Sequence, residues 1–414
     1  MDVLDRCTAD LAFTLRWRKD GVLHTECLFA ARVNFWRDLL PPGVREGLAA
    51  GPGTRVVRLS FAPGALLPPR AAAQILRVPV GDFRGTLADG QAIVPRRGRF
   101  YPRGFLRGLP GVFPQNLIPF RCLEAGHEGL VADLNPPLAG IALELEAVVE
   151  TLAEKAGERG GSAVDWTERL LEGPGMQARA GGAPTDFFTA EAFSRPDEND
   201  DALFYSRPRL VDHLDAFALA EVSRLYGRLL APGGRVLDLM GSWSSHLPEG
   251  FPLAGLTVLG LNAQELAANP RADRRVLHDL NADPRLPFEA AAFDAVISTA
   301  SFEYLVRPRE VFAEVARVLR PGGLFVQVFS NRWFPPKAVR LWSELHEFER
   351  MGLVLEVFRD SGEYEGLETF SLRGRPRPAE DRYAGTIPHA DPLYAVWGRK
   401  KAPGAAAREE GIRP

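Results

Sequence analysis

The chain has 414 residues, 46% of them hydrophobic and 25% charged, so it is long enough for two or three domains with a substantial core. Its formal net charge of −3 excludes a general basic field for nucleic acid, although a local arginine cluster could still bind a phosphate. The three cysteines lack CxxC spacing, which argues against a zinc site or a disulfide framework. With neither a signal-peptide pattern nor a run of about 18 apolar residues, we expect a cytoplasmic protein without membrane, nucleic-acid or metal partners.

Residues 1–155 alternate short strand-like runs with turns rich in proline and glycine. The runs have the alternating or β-branched character of sheet. They are LAFTLRW (11–17), TRVVRLSFAPG (54–64), AQILRVPV (73–80) and IALELEAVVETL (141–152). This spacing predicts a compact, β-rich domain over 1–155.

The last of these runs follows a distinctive turn, in GLVADLNPPLAGIALELEAVVETL (129–152). The segment resembles the closing segment of FKBP-type peptidyl-prolyl isomerases, where Asp-x-Asn-His-Pro-Leu-Ala-Gly leads into the last strand. The matching residues are Asp133, Asn135, Pro137, Leu138, Ala139 and Gly140, while Pro136 replaces the histidine. The resemblance implies an FKBP-like α+β fold for 1–155, without implying isomerase activity.

A polar connector over 156–200 follows, with one short helix around Trp166 to Leu171. From residue 201 the pattern changes to strands that alternate with helices, which predicts a parallel α/β sheet. The predicted helices are 210–230, with Pro208 just ahead of it, and PREVFAEVARVLR (308–320). The predicted strands are 235–239, 256–262, 293–298, 324–330 and one more within 381–400. We expect a domain over 201–400 and a disordered tail over 401–414.

Five segments of the second half occur in a recognisable order. They are VLDL (236–239), VLGLN (258–262), LHDLNADPRLPF (277–288), FDAVIS (293–298) and VLRPGGLFVQV (318–328). In this order the segments resemble a class I S-adenosylmethionine-dependent methyltransferase of type 11. The resemblance implies a Rossmann-like domain that binds S-adenosylmethionine and finishes with an antiparallel pair of strands.

The resemblance also implies a set of residues that contact the cofactor. Ligands of open α/β sheets lie at the carboxyl ends of the strands. Asp238 ends the first strand and suits the cationic ammonium, and the turn after it would hold the amino-acid part with Met240, Gly241 and Ser242. Asn262 stands where the family presents an acid to the ribose, and its amide oxygen can accept a hydrogen bond without charge assistance.

The remaining cofactor positions are implied in the same way. Asp279 and Leu280 match the acid and the backbone amide that recognise adenine. Ser298 ends the fourth strand. Arg209 precedes the first strand and would pair with the cofactor carboxylate.

The turn GSWSSH (241–246) departs from the family pattern. Two or three glycines normally permit positive φ and close backbone approach there, and this turn has one glycine and a tryptophan. One interpretation is a relic that has lost the cofactor. Because Asp279, LPF and FDAVIS are all present, we expect an altered but working site.

Three residues are candidates for proton transfer. His246 is the best-placed base, followed by His213 and Tyr205. The structural alternatives are a surface position on a helix face for His213 and a cap of the next helix for His246.

The acceptor side is predicted from the aromatic residues near the fourth strand and the turn. Trp243 could place an aromatic face beside a sulfonium. Phe302, Glu303 and Tyr304 should line the acceptor, with a core position as the alternative for Phe302. Residues 331–352 form either a lid or a packed helix.

The leading hypothesis is methyl transfer from S-adenosylmethionine to a small-molecule nucleophile, with a small thiol or sulfide as its specific version. One alternative is a protein methyltransferase whose FKBP-like domain holds the substrate. Another is a non-catalytic chaperone or scaffold with a relic cofactor site. The sequence leaves open the identity of the acceptor, the activity of the first domain, the orientation of the domains and whether the chain forms a homo-oligomer.

Overall fold

The computed structural model describes residues 3–51, 53–86, 90, 92–154 and 160–402. The chain divides into two compact units, Met1–Thr189 with Glu344–Leu353 and Ala190–Ser343 with Val354–Pro414. Most of the predicted connector thus belongs to the first unit, as does a ten-residue segment from the predicted second domain. The predicted tail lies outside the described residues from residue 403 onward.

The first unit contains a four-stranded antiparallel sheet in the order β2-β1-β8-β3. Its strands are β1 (Cys7–Lys19), β2 (Val22–Asn34), β3 (Val56–Phe61) and β8 (Leu143–Glu154). Side chains along β1 are alternately buried and half-exposed, so one face of the sheet covers a core that includes Leu11, Phe13 and Leu15. The short helices α1 (Val44–Ala49) and α2 (Trp166–Leu171) belong to the same unit. The α2 helix is the one predicted in the connector, and Asp165 caps its first turn.

A second antiparallel sheet of the first unit has the order β4-β7-β6-β5. Its strands are β4 (Ile75–Pro79), β5 (Phe100–Pro102), β6 (Pro119–Ala125) and β7 (Gly129–Asp133). The four strand-like runs of the sequence are confirmed as β1, β3, β4 and β8. Strands β2, β5, β6 and β7 were not predicted. The strands β5–β7 are short and lie among proline and glycine residues, whereas β2 is 13 residues long.

The second unit contains a seven-stranded sheet in the order β11-β10-β9-β12-β13-β15-β14. The strands are β9 (Arg235–Leu239), β10 (Gly255–Gly260), β11 (Arg274–Leu277), β12 (Phe293–Thr299), β13 (Leu319–Phe329), β14 (Tyr364–Arg373) and β15 (Leu393–Lys400). The first five are parallel, and β15 is antiparallel to both β13 and β14, as expected. The strand order reverses between β9 and β12, so the topological switch point lies at their carboxyl ends.

The helices of the second unit include one whose start differs from the prediction. They are α3 (Asp201–Phe204), α4 (Ala216–Leu229), α5 (Ala263–Ala268), α6 (Pro308–Val318), α7 (Arg340–Glu344) and α8 (Glu347–Ser361), of which α7 and α8 extend into the segment 344–353. The helix predicted to follow Pro208 begins at Ala216, because the Asp215 side chain accepts a hydrogen bond from the Ala218 amide and caps it. No helix in the described part of the chain is long and apolar enough to cross a membrane.

Candidate functional site

A cleft lies at the carboxyl ends of β9, β10 and β12, where the strand order reverses. Loops after these strands supply one wall, and the segment before α4 supplies another. The lining includes polar, charged and aromatic side chains together with the turn after β9: Tyr205, Arg209, Trp243, His213, Asp238, Met240, Gly241, Ser242, His246, Asn262, Glu265, Asp279, Leu280, Tyr304 and Phe334. A parallel sheet predicts a ligand site at this position.

Asp238 is a buried carboxyl group at the carboxyl end of β9. Burial raises its pKa to about 7, and a hydrogen bond from Ser245 opposes this shift. Its Oδ2 atom is buried and has no hydrogen-bond partner within the described residues. An unpaired buried carboxyl oxygen is costly in isolation and favours a ligand that carries a positive charge or a donor.

The turn after β9 uses its single glycine for close packing. The Gly241 amide donates to the carbonyl of Leu259 at 2.8 Å. A Cβ at Gly241 would lie 2.5 Å from Asp238 Oδ2, and one at Gly260 would meet the carbonyl oxygen of Gly241. The left-handed backbone is instead found at Met240 (φ 57°) and His246 (φ 52°). The turn therefore keeps the close backbone approach without the usual glycines, at a local strain of about 1 kcal/mol per residue.

Asn262 does not offer its side chain to a ligand as predicted. Its Oδ1 atom accepts hydrogen bonds from the amides of Gln264 and Glu265 and caps α5. Its Nδ2 atom donates to the carbonyls of Tyr205 and Ser206 at 2.8 and 3.2 Å. Both polar ends of the amide are therefore occupied by backbone groups, which is the physical reason for this correction.

Glu265 is a functional candidate that the sequence reasoning missed. Its Oε2 accepts a hydrogen bond from Ser242 Oγ at 2.6 Å, and its Oε1 accepts one from the Arg209 amide at 2.7 Å. This carboxylate joins the turn after β9 to the segment before α4. An N-cap asparagine followed three residues later by glutamate resembles a capping box, and this spacing is the signal that was available.

Asp279 and Leu280 both line the cleft after β11. Asp279 Oδ1 accepts hydrogen bonds from the amides of Asn281 and Ala282 at 2.8 and 3.2 Å, which fixes the carboxylate within its own turn. Leu280 is buried. Both residues belong to the cleft lining, and their contact with adenine stays a prediction.

Arg209 lies among aromatic rings at the edge of the cleft. Its guanidinium carbon is 4.6 Å from the Phe204 ring centroid, 4.9 Å from that of Phe334 and 5.7 Å from that of Tyr205. Its Nη1 atom is buried without a hydrogen-bond partner in the described part of the chain. The cleft thus contains an unsatisfied donor as well as the unsatisfied acceptor of Asp238.

The two histidines predicted for proton transfer both line the cleft. Burial lowers the pKa of His246, and also that of His213, where the charge of Arg209 adds to the effect. Both imidazoles are therefore neutral near pH 7. His213 is exposed, as its structural alternative of a surface or half-buried residue expects, but it lies in the loop before α4 rather than on a helix. No helix begins at His246, so the capping alternative for His246 is wrong.

Two further candidates line the cleft as predicted. Burial raises the pKa of the Tyr205 phenol, so this group stays protonated near neutral pH and is a donor rather than a base. Trp243 Nε1 donates to the carbonyl of Val211 at 3.3 Å, which anchors the indole beside the cleft.

The residues predicted beyond the fourth strand separate into two groups. Tyr304 lines the cleft, and its hydroxyl oxygen accepts a hydrogen bond from the Phe334 amide at 2.8 Å. Ser298, Phe302 and Glu303 are buried and lie outside the lining. Phe302 packs on Phe312 and Trp342, so the core interpretation applies to it.

The segment 331–352 is likewise mostly packed structure. Leu341 and Trp342 of α7 are buried, whereas Phe334, which the prediction included only as part of this segment, reaches the cleft. Among the described residues, no group of three or more His, Cys, Asp or Glu side chains is arranged to hold a metal ion.

Two curated proteins are similar in sequence to about a third of this chain. A malonyl-[acyl-carrier protein] O-methyltransferase of Geobacter sulfurreducens is 29% identical over 153 residues, which are 33% of this chain and 57% of that protein. An uncharacterized protein of Mycobacterium tuberculosis H37Rv is 32% identical over 142 residues, 30% of this chain and 50% of that protein. The chain spans about half the length of these curated relatives.

A solved structure and a family model complete the comparison. An S-adenosylmethionine-dependent methyltransferase from Mesorhizobium loti is 18% identical, with 44% of this chain and 98% of that chain covered and a TM-score of 0.32. Residues 241–327 match the family model described as a methyltransferase domain. This part of the chain, which includes the turn, β10, β11 and β12 of the cleft, is therefore a methyltransferase domain.

Proposed function

We propose that the chain transfers a methyl group from S-adenosylmethionine to a small-molecule nucleophile. The observation that carries the proposal is the pair of unsatisfied buried atoms in one cleft, Asp238 Oδ2 and Arg209 Nη1. The amino-acid part of the cofactor carries an ammonium and a carboxylate, which complement these two atoms in charge and in hydrogen bonding. When bound, S-adenosylmethionine supplies a methyl group on a sulfonium.

The adenosine part of the cofactor would contact other residues of the cleft. Gly241 and Gly260 allow the turn to pack closely on Asp238 and on the end of β10, because a Cβ at either position would meet protein atoms, and this packing would hold the turn in place beside the cofactor. Asp279 and the Leu280 amide would recognise adenine. We assign the ribose hydroxyls to Glu265, because a carboxylate with two donors already bound retains free lone pairs and Asn262 does not.

The acceptor would lie on the side of His246, Trp243 and Tyr304. In-line methyl transfer needs positioning and exclusion of water, and a neutral imidazole can take the proton of an oxygen, nitrogen or sulfur nucleophile. Since Trp243, Tyr304 and Phe334 give this part of the cleft an apolar surface, a small apolar acceptor fits it. A small thiol or sulfide is our first choice, because a thiolate is already partly populated near neutral pH.

Two other functions and one other class of acceptor make different predictions. An FKBP-like first unit that holds a protein substrate would make peptides with proline better acceptors than small molecules. The free carboxylate of a malonyl group held on a carrier as a thioester is a further acceptor class, suggested by the similarity to the Geobacter malonyl-[acyl-carrier protein] O-methyltransferase. A non-catalytic scaffold would bind no cofactor.

The first test is calorimetric titration of the folded full chain with S-adenosylhomocysteine. We expect one-to-one binding in the micromolar range. If no binding is detected at millimolar S-adenosylhomocysteine, the proposal is overturned and the non-catalytic scaffold becomes the favoured function. If binding is found, small thiols, malonyl thioesters and proline-containing peptides are compared as acceptors by the S-adenosylhomocysteine that each releases.

A further inference from the structure

The first unit contains a cavity of about 500 Å³ that the proposed function does not use. This volume lies within the usual range of ligand pockets. Five cationic side chains and one carboxylate line it: Lys19, Arg70, Arg97, Arg121, Arg179 and Asp133. They come from sequence positions 19 to 179, so only the folded chain brings them together.

The carboxylate neutralises little of this charge. Asp133 Oδ2 pairs with Arg70 at 2.5 Å, and its Oδ1 accepts hydrogen bonds from the amide and the side chain of Asn135. Within the described residues, no carboxylate oxygen lies within 4.0 Å of the charged nitrogens of Lys19, Arg97 or Arg121. The cavity therefore has a strong positive field.

Arg121 is the buried member of the cluster. Only 8% of its surface is exposed, its guanidinium carbon is 4.3 Å from the Phe100 ring centroid, and Nη2 donates to the carbonyl of Gly175 at 3.2 Å. Burial lowers its pKa to about 10, so the group stays charged near neutral pH. The charges of Glu349 and Asp133 oppose this shift from beyond ion-pair distance. Because no carboxylate of the described residues pairs directly with the buried guanidinium, an anionic ligand in contact with it would be favoured.

The abundance of arginine in the chain does not explain this arrangement. Other arginines of the same unit pair with carboxylates, as Arg37 does with Asp38 at 2.9 Å, Arg58 with Glu146 at 2.6 Å and Arg99 with Glu349 at 2.7 Å. The cavity differs because Lys19, Arg97 and Arg121 line one open volume and none of them forms an ion pair with a described acidic side chain.

From this geometry we infer that the cavity of the first unit binds a multiply charged phosphoryl group, free or as an ester. Four of the five cations are arginines, whose planar forks match phosphate oxygens in pairs. Phe100, Leu123 and Ile141 also line the cavity and give an ester a surface for an apolar part. The site lies in a different unit from the proposed cofactor cleft, so its test is independent of methyl transfer.

The experiment is calorimetric titration of the full chain with three probes: inorganic pyrophosphate, phenyl phosphate and citrate. We expect both phosphates to bind at least tenfold more tightly than citrate, with affinity that falls as salt rises. Tighter binding of phenyl phosphate would identify an ester as the ligand class, and tighter binding of pyrophosphate a free polyphosphate. No binding of either phosphate, or equal binding of citrate, would overturn the proposal.

Variants then locate the site. Arg97→Ala and Arg179→Ala should each weaken phosphate binding by about tenfold, since each removes a charge-assisted contact. Arg97 is exposed, so its loss should not unfold the unit. Arg107→Ala, an exposed arginine outside the cavity lining, is the matched control, and Arg209→Ala removes the guanidinium of the other cleft. Equal effects of Arg97→Ala and Arg107→Ala, or loss of binding in Arg209→Ala, would contradict the assignment.

Discussion

At the scale of single residues, the turn after β9 separates two tasks that glycine usually performs together. Positive φ is found at Met240 and His246, and the absence of a Cβ matters at Gly241 and Gly260. Strain at non-glycine residues often accompanies a ligand site, where surrounding contacts hold the backbone.

Gly241→Ala should abolish measurable binding of S-adenosylhomocysteine. The added Cβ would lie 2.5 Å from Asp238 Oδ2 and 2.6 Å from Val258 Cγ1, so the turn must move. The measurement is calorimetric titration of the variant beside Gly385→Ala, where a Cβ meets nothing within 4 Å. Unchanged affinity in Gly241→Ala would show that close packing of this turn is not needed.

Asp238 should make cofactor binding depend on pH. Because its pKa in the free protein is about 7 and a bound ammonium favours the carboxylate, affinity for S-adenosylhomocysteine should rise about tenfold from pH 6 to pH 8. Asp238→Asn should bind more weakly and without this slope. The same slope in Asp238→Asn would assign the pH dependence to another group.

The shift of Asp238 also predicts the pH dependence of stability. The native state holds a proton that the unfolded chain releases near pH 4, so unfolding free energy should fall relative to Asp238→Asn as pH rises from about 4 to 7. Urea denaturation at several pH values measures the difference between the two proteins. A difference that grows in favour of wild type over this range would contradict the assignment.

His246→Asn should lower turnover far more than cofactor affinity. Asparagine tolerates the left-handed backbone of this position but cannot accept the proton of the acceptor. We expect kcat to fall about a hundredfold or more while the Kd of S-adenosylhomocysteine changes little. His127→Ala, at an exposed position of the first unit, is the control, and an unchanged kcat in His246→Asn would remove His246 from the catalytic residues.

At the scale of elements, Asn262 holds two segments together. One end of its amide caps α5, and the other binds the chain just before the segment that carries Arg209. The start of a helix and the wall of the cleft therefore depend on one side chain.

Asn262→Asp tests this double role. Aspartate keeps the cap but places an oxygen against the carbonyls of Tyr205 and Ser206, so unfolding free energy should fall by about 1–3 kcal/mol. Cofactor affinity should fall as well, because Arg209 loses its support. Denaturation and titration are compared with Asn331→Asp, an exposed position, and a fully stable Asn262→Asp would show that the two donations contribute nothing.

At the scale of the molecule, the first unit is assembled from distant parts of the chain. Glu349 accepts hydrogen bonds from Arg99 Nε at 2.7 Å and from the Phe100 amide at 2.9 Å, across about 250 positions of sequence. Both side chains are buried, so each compensates the other's charge.

Removal of one partner should be far worse than removal of both. Glu349→Leu should lower the free energy of unfolding by about 3–5 kcal/mol, because it leaves Arg99 buried and unpaired. The double variant Arg99→Met with Glu349→Leu should recover much of this loss in urea denaturation. Glu380→Ala, at an exposed position, is the control. A double variant as unstable as Glu349→Leu would contradict the charge argument.

Much of the second unit could be predicted because its signals are local. Strand and helix periods identified β9, β10, β12, β13, α6 and β15, and the carboxyl end of β9 placed Asp238 in the cleft. The start of α4 was misjudged, since a capping aspartate inside a helical pattern determined it rather than Pro208. In the first unit, the strands β5–β7 could not be predicted, because short strands among prolines and glycines show little hydrophobic periodicity.

The sequence by itself determined that strands alternate with helices in the second unit. It also determined the order of the motifs along the parallel strands and the position of acidic residues at the ends of these strands. Tertiary structure alone decided that Met240 takes the left-handed backbone, that backbone groups occupy Asn262, and that Glu265 joins Ser242 to Arg209. It also brought Lys19, Arg97 and Arg121 around one cavity. The reason is physical: periodicity and capping depend on near neighbours, whereas a side chain's free lone pairs and a cavity's net charge depend on which distant segments the folded chain brings into contact.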